Sequence, residues 1–205
     1  MKAAYFRWDQ GRSDLAPNDR EEWYLEIELR NLSKWDLMVG RNISAWDGET
    51  IVYYNIENGQ TDYSFTNIDL PVYSPHLFQL MRELKMEDIQ YLPVRLKHKE
   101  SGREIKGYHI ANYLRMIDCL DREHSVYEIW TKENLLFWEK RSYMLGTFRD
   151  VRKAVLDITR IGDARLFRLW GWEMMVIVRE DVKTAIEEAG ITGGRFTRLE
   201  TTPSS

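Results

Sequence analysis

Two aspartates three residues apart, Asp118 and Asp121, bracket the chain's single cysteine, Cys119. Carboxylates at that spacing can chelate a cation or share a proton, and a thiol between them is a potential nucleophile. A small metal-dependent hydrolase using Asp118 and Asp121 is therefore one reading. A strand-end turn capped by aspartate accounts for the pair equally well, because no further oxygen ligands cluster beside it in the sequence. A reactive thiol needs a positive neighbourhood, whereas two aspartates raise its pKa, so Cys119 reads as a buried structural residue. His76, His98, His109 and His124 have neither i, i+4 spacing nor a nearby cysteine pair, so each reads as a surface or internally satisfied histidine rather than a metal ligand. Gly193-Gly194 lacks the lysine and glycine spacing of a phosphate loop, and neither G-x-G-x-x-G nor G-x-S-x-G occurs. Nothing here assembles a catalytic centre or calls for a cofactor.

A second pattern concerns binding. From Asn42 to Met81 there is no Lys or Arg, where the chain-wide frequency would place about six. The same stretch holds Asp47, Glu49, Glu57, Asp62 and Asp69, interleaved with Trp46, Tyr53, Tyr54, Tyr63, Phe65, Tyr73 and Phe78. Trp46, Asp47, Glu49, Tyr53, Tyr54, Asp62, Tyr63 and Asp69 are thus the candidate contacts of an acidic, aromatic surface suited to a basic partner protein. The competing reading is chance segregation of charge over a sheet whose other face is core. The formal charge of −4 lacks the basic excess of a nucleic-acid binder, and the acidity is concentrated: residues 1–102 carry −5 and residues 103–205 carry +1.

The elements that must position these residues follow from periodicity. Alternation from Tyr24 to Leu29 puts Leu25, Ile27 and Leu29 on one strand face, and Ile51 to Tyr54 is β-branched and aromatic, so residues 1–69 read as β-rich and acidic. Asp47-Gly48 and Asn58-Gly59 favour tight turns. Ser74-Pro75 is a helix start, followed by a stripe of Leu77, Leu80, Met81 and Leu84. Asp88 to Leu96 reads as a strand in which Pro93 marks an edge or bulge, then a polar turn over 97–102, then extended chain from Glu104 to Met116. Residues 120–150 stay open: Val126 to Trp130 suits a strand, and Lys132 to Lys140 suits a helix equally well. Three short strands, 154–158, 166–169 and 174–178, are separated by turns at Gly162 and Gly171. A second amphipathic helix carries Val182, Ala185, Ile186 and Ala189 and ends at Gly190, and Arg195 to Leu199 forms a last strand. The class is α+β, mostly antiparallel β-sheet with at least two short amphipathic helices.

A chain of 205 residues fits a single domain, expected over 1–199 with a frayed tail at 200–205. One cysteine excludes an intramolecular disulfide, nothing at the N-terminus resembles a signal peptide, and no uncharged run approaches the roughly 20 residues that span a bilayer. Cytoplasmic residence is the default expectation, with no membrane or direct nucleic-acid contact.

In their order along the chain, several segments together resemble a known family. These are Leu70-Pro71-Val72-Tyr73-Ser74-Pro75 with its helix, Ile89-Gln90-Tyr91-Leu92-Pro93-Val94, and Gly107-Tyr108-His109-Ile110-Ala111-Asn112 running on to Asp121. Leu166-Phe167-Arg168-Leu169-Trp170-Gly171, Val176-Ile177-Val178 and Glu188 to Phe196 complete the order. The family is that of bacterial immunity proteins of polymorphic toxin systems typified by a myxobacterial member, long described as a domain of unknown function. The resemblance covers about 70–121 and 155–199 within a family-like part at 70–199. It departs at Arg179-Glu180-Asp181, where the family pattern has a serine before the last helix; Asp181 or a backbone shift would have to supply the cap. It implies a non-enzymatic protein that binds and neutralises a cognate toxin, and it carries over no catalytic residue. A nuclease with a basic substrate channel would suit the acidic candidate surface. A homo-oligomeric scaffold is the remaining alternative, and a homodimer is compatible with the immunity reading.

Overall fold

The computed structural model describes residues 3–10, 25–29, 32–55, 61–137 and 139–202. Along them run β1 (Tyr5–Gln10), β2 (Glu26–Ile27), α1 (Lys34–Met38), β3 (Ile51–Tyr54), β4 (Tyr63–Phe65), β5 (Pro71–Tyr73), α2 (Pro75–Glu83), β6 (Ile89–His98) and β7 (Glu104–Tyr113). There follow β8 (Met116–Ile117), β9 (Val126–Ile129), β10 (Phe148–Lys153), β11 (Val155–Leu156), β12 (Leu166–Leu169), β13 (Trp172–Arg179), α3 (Glu180–Glu188), β14 (Gly194–Arg198) and β15 (Glu200–Thr201). The chain is α+β, mostly strand, and most strand neighbours are antiparallel. A six-stranded sheet has the order β2-β3-β6-β7-β5-β4, a five-stranded sheet the order β14-β1-β13-β12-β8, and β9–β10 and β11–β15 form two further pairs.

Period-two alternation builds the layers. Along β6, Leu92, Val94 and Leu96 face one core with Val52, Ile110 and the α1 residues Leu37 and Met38. Ile89 faces the other way, into a core shared with Trp8 of β1, Val176 and Val178 of β13, and the apolar stripes of α2 and α3. The opposite face of the five-stranded sheet buries Tyr5, Phe167 and Ile177 against Phe148 and Val151 of β10. Both sheets thus have a covered side, and the core between them is the most aromatic of the three.

Local chemistry explains the helices. Ser74 Oγ accepts from Leu77 N–H at 3.2 Å, and Pro75 occupies the first turn, as the sequence predicts. α3 ends at Gly190, whose φ of 67° suits a left-handed cap. Its start has no side-chain cap at Arg179: Asp181 instead accepts from both Arg179 and Arg165, and Glu180 N–H donates to Ala4 O. The first-turn acids Glu180 and Asp181 complement the helix dipole there.

Four features differ from, or add to, the sequence reading. α1 is an unexpected helix, held by a capping box in which Asp36 N–H donates to Ser33 Oγ and Ser33 N–H donates to the Asp36 carboxylate. Within the open region 120–150, the stretch that suits a helix forms turns at 132–134, 136–137 and 139–140 instead, with residue 138 outside the described residues. β6 is flanked on both sides, yet Pro93 sits where β3 has not begun, since β3 joins at Ile51↔Arg95; the Pro93 carbonyl on that side accepts from Trp46 Nε1 at 2.8 Å. In the segment expected as a tail, Glu200 and Thr201 pair in parallel with Val155 and Leu156. Residues 203–205, the 58–59 turn and residue 24 of the first predicted strand lie outside the described residues.

Candidate functional site

The groups with reactive potential are engaged in holding the fold. Cys119 is fully buried, and its thiol is pushed up to about 12 by burial and then by the neighbouring Asp118 charge. Asp118 accepts from Arg122 at 3.0 and 3.1 Å. Asp121 accepts from Thr202 Oγ1 at 2.8 Å, pairs with His124 Nδ1 at 2.8 Å and caps Glu123 and His124 N–H groups. These bonds, that of Thr202 foremost, hold the Asp121 carboxyl at about 2. The two aspartates therefore point to different partners, as in a capped turn. His98 is buried and satisfied by Ser101 and Asn55 O, and His109 stacks on Phe78 at 4.1 Å, where burial lowers its pKa. Among the described residues no three His, Cys, Asp or Glu side chains converge as metal ligands.

The eight candidate contacts divide. Tyr63 is fully buried, stacked on Trp8 at 3.9 Å, and Tyr54 is buried in the other core of the six-stranded sheet. Asp62 is a latch: it accepts from Ser74 Oγ at 2.6 Å and from Thr192 N and Oγ1 at 2.9 and 2.8 Å. Burial raises the Asp62 pKa, but these bonds prevail and hold it below the usual carboxylate value. Trp46, Asp47 and Glu49 lie in the turn before β3 and Tyr53 lies on β3, with Trp46 half-buried and the others exposed. Asp69 stands apart, with a φ of 63° and an ion pair to Lys34 at 3.7 Å.

Folding also changes the charge of that region. β6 supplies one cation to that run, Arg95, which pairs with Glu49 at 2.8 Å and with Glu104 at 3.2 Å; Lys97 on the same strand pairs with Glu104 at 3.7 Å, and Lys99, just past it, pairs with Glu26. A one-sided acidic run in sequence becomes a mixed ladder on the sheet.

Two surface features involve residues outside that set, although Asp69 also lines the first. β1 and β13 pair only from Tyr5↔Arg179 to Arg7↔Ile177. Beyond, a cleft of about 400 Å³ is lined by Arg7, Asp9, Gln10, Met174, Arg195 and Thr197, with Phe65 and Asp69 across it. Its charges are partly matched internally, since Arg7 Nε donates to Asp9 at 2.7 Å. The second feature is the loop between β9 and β10. Trp130 N–H donates to Thr147 O at 3.0 Å and Gly146 N–H to Trp130 O at 2.9 Å, closing its base. Leu135 is buried, but Leu136, Phe137 and Tyr143 are 77%, 71% and 62% exposed. Tyr143 meets Trp35 of α1 edge-on at 6.3 Å. The sequence signal for this loop is the Leu135-Leu136-Phe137 run among charges, which looks like a buried helical stripe until the chain turns there instead.

The model of the immunity protein family (Imm11) matches residues 6–201, nearly the whole chain, and the chain belongs to that family. Among curated proteins, none matches it.

Proposed function

We propose that this immunity-family protein acts by binding: in the cytoplasm of the producing cell it holds a cognate secreted antibacterial toxin and masks the toxin's active or substrate-binding surface, without catalysis of its own. The observation that carries this reading is the family match across residues 6–201. The local chemistry is compatible with it, since Cys119, Asp118 and Asp121 are committed to internal contacts. The molecule exposes 11797 Å², and a standard interface needs about 800 Å² per partner, so one face suffices.

Within the candidate set, Trp46, Asp47, Glu49 and Tyr53 form the group able to touch a partner together, with Asp69 as a separate point. Tyr54, buried beneath β3, would help hold that surface in place, whereas Tyr63 and Asp62 lie at β4, at the opposite edge of the sheet, and hold the fold there. A nuclease with a basic channel is one partner this group could serve, although Glu49 already has Arg95 beside it.

Coexpression tests the function directly. A sensitive bacterium producing the toxin encoded beside this chain's gene should grow when the chain is present, and the two proteins should copurify. Continued killing in the presence of the folded chain contradicts the proposal.

A further inference from the structure

We infer that the aromatic core between the two large sheets contains a binding site for a small monovalent anion such as chloride, held by Arg168 and the hydroxyls of Tyr63, Tyr73 and Tyr113. All four side chains are at most 2% exposed, so the site is separate from any toxin contact.

The groups meet around Tyr113. Its hydroxyl lies 2.8 Å from that of Tyr73, and the Arg168 guanidinium lies 5.1 Å from its ring centre. Tyr63 stands directly opposite Tyr73 in the β4–β5 register, with ring centres 5.9 Å apart. Burial first, and then the neighbouring Tyr113 phenol, raise the Tyr63 pKa. The three tyrosines thus come from the six-stranded sheet, and Arg168 reaches them from β12 of the five-stranded one.

The hydrogen-bond inventory is one-sided. The Tyr73–Tyr113 bond uses one hydroxyl proton of its two. Tyr63 Oη and Arg168 Nε are buried with no partner among the described residues. Three donors in one place therefore lack an acceptor, a costly arrangement for buried groups. A ligand that accepts hydrogen bonds answers it.

Charge decides what that ligand is. No carboxylate bonds to Arg168 among the described residues; its Nη1 donates to the Leu37 and Met38 carbonyls, which supply only the partial charge of a helix end. Glu173 acts on Arg168 and Asp9 acts on Tyr63, each more weakly than Tyr113 does and without bonding to the cluster. A phenolate is not the counter-charge either. Burial pushes Tyr113 up to about 12 and holds Tyr63 and Tyr73 well above the usual tyrosine value, so all three remain protonated donors at neutral pH. Buried charges are ordinarily paired. A water would serve at most two of the three donors and leave the guanidinium charge unanswered, whereas a monatomic anion accepts from all of them, balances that charge and is small enough for a close-packed core.

The test uses the full chain. Urea unfolding is followed at fixed ionic strength while gluconate is exchanged for chloride. Above half-saturation, each tenfold rise in chloride should raise the folded-to-unfolded ratio about tenfold. In Arg168→Met that dependence should vanish, and in Tyr63→Phe the half-saturating chloride concentration should rise about tenfold. Crystals of protein refolded in bromide should show an anomalous peak within hydrogen-bond reach of Tyr63 Oη and Arg168 Nε. A folded-to-unfolded ratio indifferent to chloride overturns the inference, as does a chloride dependence that is the same in wild type and Tyr63→Phe. Density at the cluster without a bromide signal assigns the position to water and also overturns it. Should Arg168→Met not fold, Tyr63→Phe and the bromide peak decide.

Discussion

At the scale of single residues, the least expected group is Arg168. It is 2% exposed, with no carboxylate bonded to it among the described residues. Its Nη1 donates to the Leu37 and Met38 carbonyls at 3.3 and 2.9 Å, at the negative end of α1, and its guanidinium lies 5.1 Å from the Tyr113 ring. Burial lowers its pKa, opposed by the surrounding tyrosines, Tyr113 first. One side chain thus ties β12 of the five-stranded sheet to α1 on the six-stranded one. Arg168→Ala should cost about 3–5 kcal/mol in urea unfolding, because it leaves both a void and two poorly satisfied carbonyls. Arg168→Met, which fills much of the volume, should cost less. A second residue-scale prediction concerns acid. Asp181, held at about 2 by Arg179 and Arg165, and Asp121, held at about 2 by Thr202 and His124, bind fewer protons folded than unfolded. Their stabilisation is complete above the unfolded carboxylate value near 4 and is lost as pH falls towards 2. Asp121→Asn/Asp181→Asn should therefore flatten the rise in melting temperature between about pH 2 and 4; an unchanged slope would refute the assignment.

At the scale of elements, close approach rather than propensity fixes the α3–β14 connection. A Cβ on Gly193, whose φ is 88°, would lie 2.2 Å from Thr61 Oγ1 and 2.4 Å from Tyr63 O; one on Gly194 would lie 2.3 Å from Trp8 Nε1. Gly193→Ala should cost about 3 kcal/mol or more. Gly162→Ala, at φ 64° with open space around it, should cost only the backbone term of about 1 kcal/mol; equal losses would contradict the packing account. The same connection shows why legibility in the sequence was uneven. α2 and α3 could be read because Ser74-Pro75, the apolar stripes and Gly190 act locally, and the β6–β7 hairpin because its turn and alternation are contiguous. α1 carried its own local signal, Ser33 with Asp36, but spans only five residues and lacks a full stripe. The parallel pairing of β3 with β6 has no local signature at all. For that reason the run at 42–81 without Lys or Arg promised an acidic face, while Arg95 and Lys97 of β6 and Lys99 just past it arrive beside β3 from far along the chain. Tyr54 and Tyr63 had the same difficulty: alternation says that one face is buried without saying which when aromatics occupy both.

At the scale of the whole molecule, the two large sheets share an aromatic core and are joined by polar ties: Asp62 to Ser74 and Thr192, Arg165 to Leu84 O and Asp181, and Arg168 to α1. On the molecule's surface the Trp46–Tyr53 edge carries the Glu49–Arg95 pair, and the β9–β10 loop exposes Leu136, Phe137 and Tyr143. The most direct test of toxin neutralisation by this protein is titration of the inactivated neighbouring toxin into the purified chain. Saturable one-to-one binding, nanomolar or tighter, is the predicted result; an absence of binding heat with both proteins folded would contradict it.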